Sequence, residues 1–477
     1  MILTGLAVGV ALGVIMQRGR FCVTGMLRDV FLQKQGRGLV AFFIVVAVHA
    51  IGLAALTSLG VISPEYRTFA PIAVAVGGFI FGLAIILAGG CASGTWYRSG
   101  EGLVGSWFAL LFYALSASAM KSGFLSDFND KLKEWDTGWT TVPQTFGISA
   151  WWFAIPLALG TAYLAQYYLS RDAANPKVTL EQPWYRKPLH PYTAGAAIGL
   201  LGVIAWPLSA ATGRNDGLGI TTPSAHLASY ITTGETEYFN WGTLLVLGIL
   251  VGSYFAAKAS GEFRLRVPDG RTSVRAVIGG IGMGVGASLA GGCTVGNGMV
   301  QTSLFSYQGW VAMAFIAAGV YVGAKLWLKP SGVKQGSADS GVYTTDESIS
   351  DPELAGLTSN KTETTEAAPA FNIVSASGGV ALKTKPKQDT TARPLGNGRY
   401  ILDTLGDVCP FPLIEAKQAI SELDSGEELI IDFDCTQATE SIPQWAADNG
   451  HGVKDFVQNQ NAGWQITVVK DAVNSPA

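Results

Sequence analysis

Charge is scarce in this 477-residue chain: Asp, Glu, Lys and Arg together make up 14% of it, against 49% hydrophobic residues and a mean hydropathy of +0.31. An ordinary soluble multidomain enzyme needs more polar surface than that, and many of the apolar runs are long enough to span a bilayer. A strong charge of either sign is missing too, since a net charge of −3 offers no basic face to nucleic acid. Cysteine is sparse. Cys22, Cys91, Cys293, Cys409 and Cys435 are too few and too scattered for a disulfide framework, and no two form a CxxC pair for zinc or iron–sulfur binding, so each is expected to act singly. His49 and His226 are isolated and read as buried or pore-lining hydrogen-bonding groups; no metal site and no organic cofactor is expected. A basic start and an A-x-A site are lacking, so the apolar residues 1–16 read as a retained first span rather than a secretory signal. No Asp or Glu inside a span suggests a proton relay.

What is present is a set of nine nearly uncharged runs, at 1–16, 38–61, 70–88, 103–120, 147–169, 192–210, 241–258, 274–291 and 308–328. Each is about long enough to cross ~30 Å of hydrocarbon, so the reading is a polytopic α-helical membrane protein of about nine spans. Trp151, Trp152, Tyr167 and Tyr168 read as an interfacial belt. Four further segments, 19–33, 91–101, 213–229 and 293–305, are too short or too glycine-rich to span and too apolar for solvent loops. Irregular backbone survives at membrane depth only where protein or a polar cavity satisfies it, so four re-entrant loops are predicted, each leading into a short helix.

One stretch is spelled twice: Leu87-Ala88-Gly89-Gly90-Cys91 and Leu289-Ala290-Gly291-Gly292-Cys293. Together with the echo of Leu12-Gly13-Val14-Ile15 in Leu201-Gly202-Val203-Ile204, it divides the membrane part into repeat units of about 1–120 and 192–328. An offset of five spans makes the units inverted, an arrangement that places helix breaks near the bilayer midplane with positive dipole ends toward an anionic substrate. Small-residue packing would explain the glycines of the motif, but not a thiol at the same break in both halves. Cys22, in the first break, faces only the weaker segment Gly217–Ser224, which has no thiol; taken alone it reads as a small buried hydrophobe, and its place beside two arginines at a helix break makes a ligand role as ready a reading. The glycine run Gly279–Gly286 lies inside a span and reads as close helix packing rather than a dinucleotide loop.

Under the nine-span assignment, the loops after spans 1, 3, 5 and 7 hold 15 basic residues, from Arg18, Arg20 and Arg28 through Arg98 and Lys177 to Arg275. The remaining loops hold five: Arg67, Lys121, Lys131, Lys133 and Arg214. The bias puts the N-terminus outside and the C-terminal part in the cytoplasm. Arg18, Arg20 and Arg98 inside and Arg214 outside are candidate anion-attracting residues at the two mouths, although the same bias accounts for the inner ones nearly as well.

Beyond the membrane part, 1–329, residues 330–398 turn to Ser, Thr, Gly, Pro, Lys and Glu and read as a flexible linker with a reach on the order of 45 Å. Residues 399–470 are patterned as a small α/β two-layer sandwich, followed by a tail, 471–477. Acids outnumber bases 12 to 4 in this domain. In Cys409-Pro410-Phe411-Pro412 the prolines pre-set a first helical turn and leave the thiol at the helix N-terminus, where free amides favour the thiolate. Cys435, after the strand 428–433, reads as a buried strand-end residue, with a resolving-thiol role as the alternative.

The segments Gly19–Cys22, the two Leu-Ala-Gly-Gly-Cys stretches and Gly217–Pro223 resemble those of the YeeE/YedE membrane family, over nearly all of residues 1–328. The tail around Cys409–Pro412 is similar to TusA-like (YeeD) sulfur-handling proteins over about 70 residues. The resemblance implies a thiosulfate importer of the inner membrane, hourglass-shaped with a narrow centre, in which Cys22, Cys91 and Cys293 are the transport cysteines and Cys409 is the sulfur-bearing nucleophile. It implies as partners thiosulfate, the chain's own C-terminal domain docking at the cytoplasmic mouth, downstream sulfur-acceptor proteins and membrane lipid. Thiosulfate is a dianion with one soft sulfur; neutral thiols grip it lightly, and several weak stations permit both entry and release. Two other classes stay open: a membrane-anchored sulfurtransferase, and a transporter of another sulfur or selenium compound.

Overall fold

Small residues set the distances between helices in the membrane part. In this computed structural model, which describes residues 1–174, 178–328 and 392–471 apart from 181, 184–185, 408 and 460–462, the chain begins with α1 (Leu3–Arg18), α2 (Val23–Gln33), α3 (Arg37–Ser58), α4 (Pro71–Leu87), α5 (Ala92–Gly100), α6 (Val104–Lys121), α7 (Ser126–Lys133), α8 (Val142–Phe146) and α9 (Trp151–Ala174). After a loop follow α10 (Pro191–Ala210), α11 (Thr221–Thr233), α12 (Trp241–Ser260), α13 (Gly270–Leu289), a turn of π-helix at Gly296–Gln301 and α14 (Tyr307–Trp327). A Cβ on Gly9 of α1 would collide with the carbonyl of Leu245 in α12, and one on Gly252 of α12 with that of Val10. The two helices approach as closely as backbones can, which small-residue seams permit in lipid.

Each of the nine expected spans coincides with a helix among the described residues, and composition divides them. Among the described residues seven segments are long and apolar enough to cross a membrane, and eight if α6 and α7, bent by 66°, are taken together. α9 is long enough but is not among them, its run being interrupted by Pro156, Gln166 and the expected belt aromatics, of which Trp152 and Tyr167 are exposed. The chain is a multi-pass membrane protein.

The packing is duplicated. α1 lies on α12 as α10 lies on α3; α6 lies on α13 as α14 lies on α4; α6 meets α11 as α14 meets α2. Exchanging α1–α6 for α10–α14 therefore preserves these three pairings, while α9, which packs on α3, has no counterpart on α12 among the described residues. Three of the four predicted breaks lead into a short α-helix (α2, α5, α11); the fourth leads into the π-turn instead.

The C-terminal domain comprises β1 (Arg393–Gly396), β2 (Arg399–Thr404), α15 (Phe411–Glu422), β3 (Glu428–Phe433), α16 (Ala438–Asp448), β4 (Gly452–Gln458) and β5 (Trp464–Val469). Its sheet runs β1-β2-β3-β5-β4, with β2 and β3 parallel and the other pairs antiparallel. Leu429, Ile431 and Phe433 alternate into the core against Leu413, Ala416 and Ile420 of α15 and Ile442 of α16. β1 is a correction to the expected start at 399: Pro394 and full exposure hide this edge strand from a pattern search. The expected linker at 330–398 falls outside the described residues as far as 391, and so does the tail beyond Asp471.

Candidate functional site

Each of the three membrane thiols stands at the start of a helix. The amides of Met26, Thr95 and Asn297 donate to the carbonyls of Cys22, Cys91 and Cys293 at 3.0, 2.8 and 2.8 Å, the first helical bond after each break. The fourth break repeats the bond, Ser224 to Ile220 at 2.9 Å, with Ile220 where the other half has Cys22. Gly89 and Gly291 hold φ of +72° and +75°, a left-handed conformation that L side chains rarely adopt, so both Leu-Ala-Gly-Gly-Cys turns have the same backbone and both need glycine there. All three cysteines are at most 2% exposed.

The breaks converge. The sulfurs of Cys22 and Cys91 both lie 3.3 Å from the position a Cβ on Gly94 would take. The Cys91 sulfur is 3.5 Å from Ser93 Oγ and in reach of Thr294, the neighbour of Cys293. Free amides at three helix starts, hydroxyls and thiols thus gather in one place, a set that suits a soft anion without fixing it by a cation. Interlocks hold the two halves together around it: Trp96 Nε1 donates to Ser224 Oγ at 2.9 Å, and Tyr113 OH to Thr221 Oγ1 at 2.9 Å. Arg98 donates to the Gly89 carbonyl, and in the second half Asn297 does the corresponding work, donating to Ala290 and Gly292 at 2.8 and 2.9 Å.

On one side of Cys293 a cavity of about 40 Å³ is lined by Arg67, Arg214, Asp216, Thr221, Thr222 and the Gly291–Cys293 turn, among others. Arg214 donates to Ser209 Oγ (3.0 Å) and the Gly217 carbonyl (3.1 Å) and approaches Asp216 (3.4 Å), while Lys121 donates to Thr222 Oγ1 at 2.8 Å. In the sequence Arg67 and Lys121 are only topology markers; the cavity brings Arg67 beside the thiol, and Lys121 reaches it through Thr222.

At the end of α1 the expected mouth arginines are not free charges. Glu262 pairs with Arg20 at 3.0 Å and with Arg18 at 3.8 Å, and Gln17 Nε2 bridges Glu262 (2.7 Å) and Glu101 (3.3 Å). Both carboxylates are buried. Sequence reasoning missed them because they lie just outside the apolar runs; the signal was a lone acid beside a glycine at a span end, Glu101-Gly102 and Gly261-Glu262. The 101–104 and 262–266 segments run side by side, with Arg264 N to Glu101 O at 3.1 Å and Arg266 N to Gly102 O at 3.0 Å.

In the C-terminal domain Cys409 sits immediately before the cap of α15 and is half-buried, whereas Cys435 is buried beyond β3. The fold brings the two side by side, with their Cα atoms 6.0 Å apart, an arrangement in which neither thiol need act singly. The domain also touches the membrane part: Arg37 pairs with Asp448 at 2.8 Å, Gln35 donates to Asp448 at 3.0 Å, Arg20 donates to Thr439, and Gln182 donates to Gln458 at 3.1 Å.

Comparison with known proteins gives two separate matches. Residues 18–322 match the family described as Sulphur transport, and residues 400–470 the family described as Sulfurtransferase TusA. The chain is 42% identical over 338 residues to the thiosulfate transporter TsuA of Escherichia coli (strain K12), covering 69% of this chain and 94% of the relative. It is 33% identical over 333 residues to the TsuA of Spirochaeta thermophila, covering 67% and 97%. Its C-terminal part is 62% identical over 69 residues to E. coli TsuB, provisionally named a sulfur carrier protein, covering 14% of this chain and 92% of the relative.

Proposed function

We propose, because this chain belongs to the sulphur transport family and carries a TusA-type sulfurtransferase domain at its C-terminal end, that it imports thiosulfate across the inner membrane and passes the sulfur to that domain. The observation that carries the reading is the meeting of Cys22 and Cys91 across Gly94 and the reach of Cys91 to Thr294, the neighbour of Cys293, with each thiol at a helix start. A thiosulfate dianion entering past Arg67, Arg214 and Lys121 meets Cys293 first, then Cys91, then Cys22. Each station offers a polarisable S–H donor and helix-end amides, weak enough for release to the next. The orientation with the N-terminus outside and the C-terminal domain in the cytoplasm rests on the bias of 15 basic residues to five, a count that includes Lys177, outside the described residues.

Docking of the C-terminal domain at the cytoplasmic mouth is supported by the Arg37–Asp448 pair and by the approach of Gln437 to Gly25, three residues after Cys22. Sulfur acceptance at Cys409 is supported by its place at the start of α15, where the helix dipole and free amides favour the thiolate; the acidity of the domain opposes this only as a diffuse, screened field. Attack on the outer sulfur of thiosulfate leaves a persulfide and releases sulfite. The test is uptake of labelled thiosulfate into proteoliposomes with unlabelled thiosulfate, sulfate, sulfide and selenite as competitors. Saturable uptake blocked best by thiosulfate is the expected result; preferential block by sulfide or selenite would reassign the substrate.

A further inference from the structure

We propose that Cys435 is the resolving thiol for Cys409, so that the C-terminal domain takes thiosulfate to sulfite and sulfide and finishes each cycle as the Cys409–Cys435 disulfide. The proposal rests on the reading of Cys409 as the sulfur acceptor and deepens it: a domain with Cys409 alone would hold the sulfur and hand it on, whereas a domain with both thiols releases it.

The pairing follows from the sheet. β2 and β3 are parallel neighbours in register from Arg399 opposite Glu428 to Thr404 opposite Phe433, so the loops leaving their C-terminal ends emerge side by side. Those loops are tied to each other, with Thr404 Oγ1 donating to the Asp432 carbonyl at 2.8 Å and Gly406 N donating to Asp434 Oδ1 at 3.1 Å. One loop ends in Cys409 and the other carries Cys435, and their Cα atoms are 6.0 Å apart, inside the range a disulfide spans without moving the backbone. Accessibility is divided between them in the manner of an attacking and a resolving thiol. Cys409 is half-buried at the helix start, open to a small dianion; Cys435 is 5% exposed and packs in the core cluster that Cys409 borders.

The chemistry balances in two displacements. In the first, the Cys409 thiolate forms a bond to the outer sulfur of thiosulfate, the S–S bond of thiosulfate breaks, and sulfite leaves with the electron pair. In the second, the Cys435 thiolate attacks the Cys409 sulfur, the persulfide S–S bond breaks, and sulfide leaves with that pair and takes up a proton. The sulfur delivered is reduced by two electrons, which the two thiols give up as they become a disulfide. A further cycle needs a dithiol reductant, the chemical class that reopens a disulfide by thiol exchange. The reaction class that consumes the product is one that captures free sulfide.

The experiment uses the full chain in detergent, reduced and then freed of reductant, exposed to thiosulfate for a single turnover, alkylated and mapped by peptide mass spectrometry, with sulfite and sulfide assayed in the medium. The wild-type chain is expected to give sulfite and sulfide in equal amounts and a peptide pair joined through Cys409 and Cys435. Cys435→Ser is expected to give sulfite alone, with one extra sulfur retained on Cys409. The wild-type measurement decides the matter even should the variant fold poorly: an added sulfur that stays on Cys409 while Cys435 remains alkylatable overturns the proposal, as does undiminished sulfide from Cys435→Ser. Absence of sulfite from the wild-type chain is a different failure, one that removes the Cys409 reading together with this proposal.

Discussion

Cys22 and Cys91 meet across a residue that has no side chain: both sulfurs stand 3.3 Å from where a Cβ on Gly94 would be. That distance is tighter than an ordinary carbon contact, so a methyl group there pushes one thiol away from the other. Gly94→Ala is expected to reduce thiosulfate uptake strongly, at an overpacking cost of about 1–3 kcal/mol to the fold. Uptake by the purified variant in proteoliposomes, together with its thermal melting, separates the two effects; wild-type uptake would mean that the Cys22–Cys91 spacing is unimportant.

The interface with the C-terminal domain has a charge pair at its edge. Asp448 accepts from Arg37 and Gln35, and Arg37 also pairs with Asp172. Asp172 keeps Arg37 paired when Asp448 is merely removed, so the test reverses the charge instead of truncating it. Asp448→Arg is expected to release the C-terminal domain, seen as increased hydrogen exchange along α16 in the full chain, and the double exchange Arg37→Asp with Asp448→Arg to restore part of the protection. Unchanged exchange in Asp448→Arg would argue against docking through this pair.

How much of this was legible in the sequence depended on whether the signal was local. The nine helices, three of the four short-helix breaks and the strand at 428–433 all follow from runs, glycines and alternation within windows of a few to twenty residues, and each appears where the sequence put it. β1 was hidden by its proline and its exposure, and α9 reads as apolar by length but not by composition. The π-turn after Cys293 has no pattern of its own; it forms where Asn297 turns back to hold the Ala290 and Gly292 carbonyls. Glu101 and Glu262 become a buried pair only when α1 and α12 bring Gln17 between them. Cys435 meets Cys409 through the parallel pairing of β2 with β3, a long-range event that no local spacing announces.

Orientation has a direct check. With the N-terminus outside, the α6–α7 turn faces the periplasm, so a cysteine introduced as Asp127→Cys in the chain is expected to react with an impermeant thiol reagent added to intact spheroplasts and not with reagent confined to the cytoplasmic side. Labelling from the cytoplasmic side alone would reverse the assignment made from the basic residues.

The C-terminal domain carries its own pH signature. His451 packs against Trp445, and its Nδ1 accepts from the Asp471 amide at 3.2 Å, a bond available only to the neutral ring. Burial lowers its pKa below the ordinary 6.5, with Asp471 opposing and Lys470 assisting. The folded state therefore binds its proton less readily than the unfolded chain, so this contribution is full above the ordinary value and is lost as pH falls from there through the lower folded-state value. The urea midpoint of the C-terminal sheet, followed by hydrogen exchange in β3 and β5, is expected to fall as the pH drops below about 6.5, and to fall less in His451→Gln. An equal slope in both chains would show that His451 is not the group responsible.

The central claim is that the buried thiols are the stations of the path, and the most direct measurement is thiosulfate uptake by Cys91→Ala and Cys293→Ala, with Cys22→Ala alongside, each reconstituted at matched density after its fold has been verified by melting. The account expects uptake to fall to background in the first two and strongly in the third. Uptake at the wild-type rate in both Cys91→Ala and Cys293→Ala would contradict it.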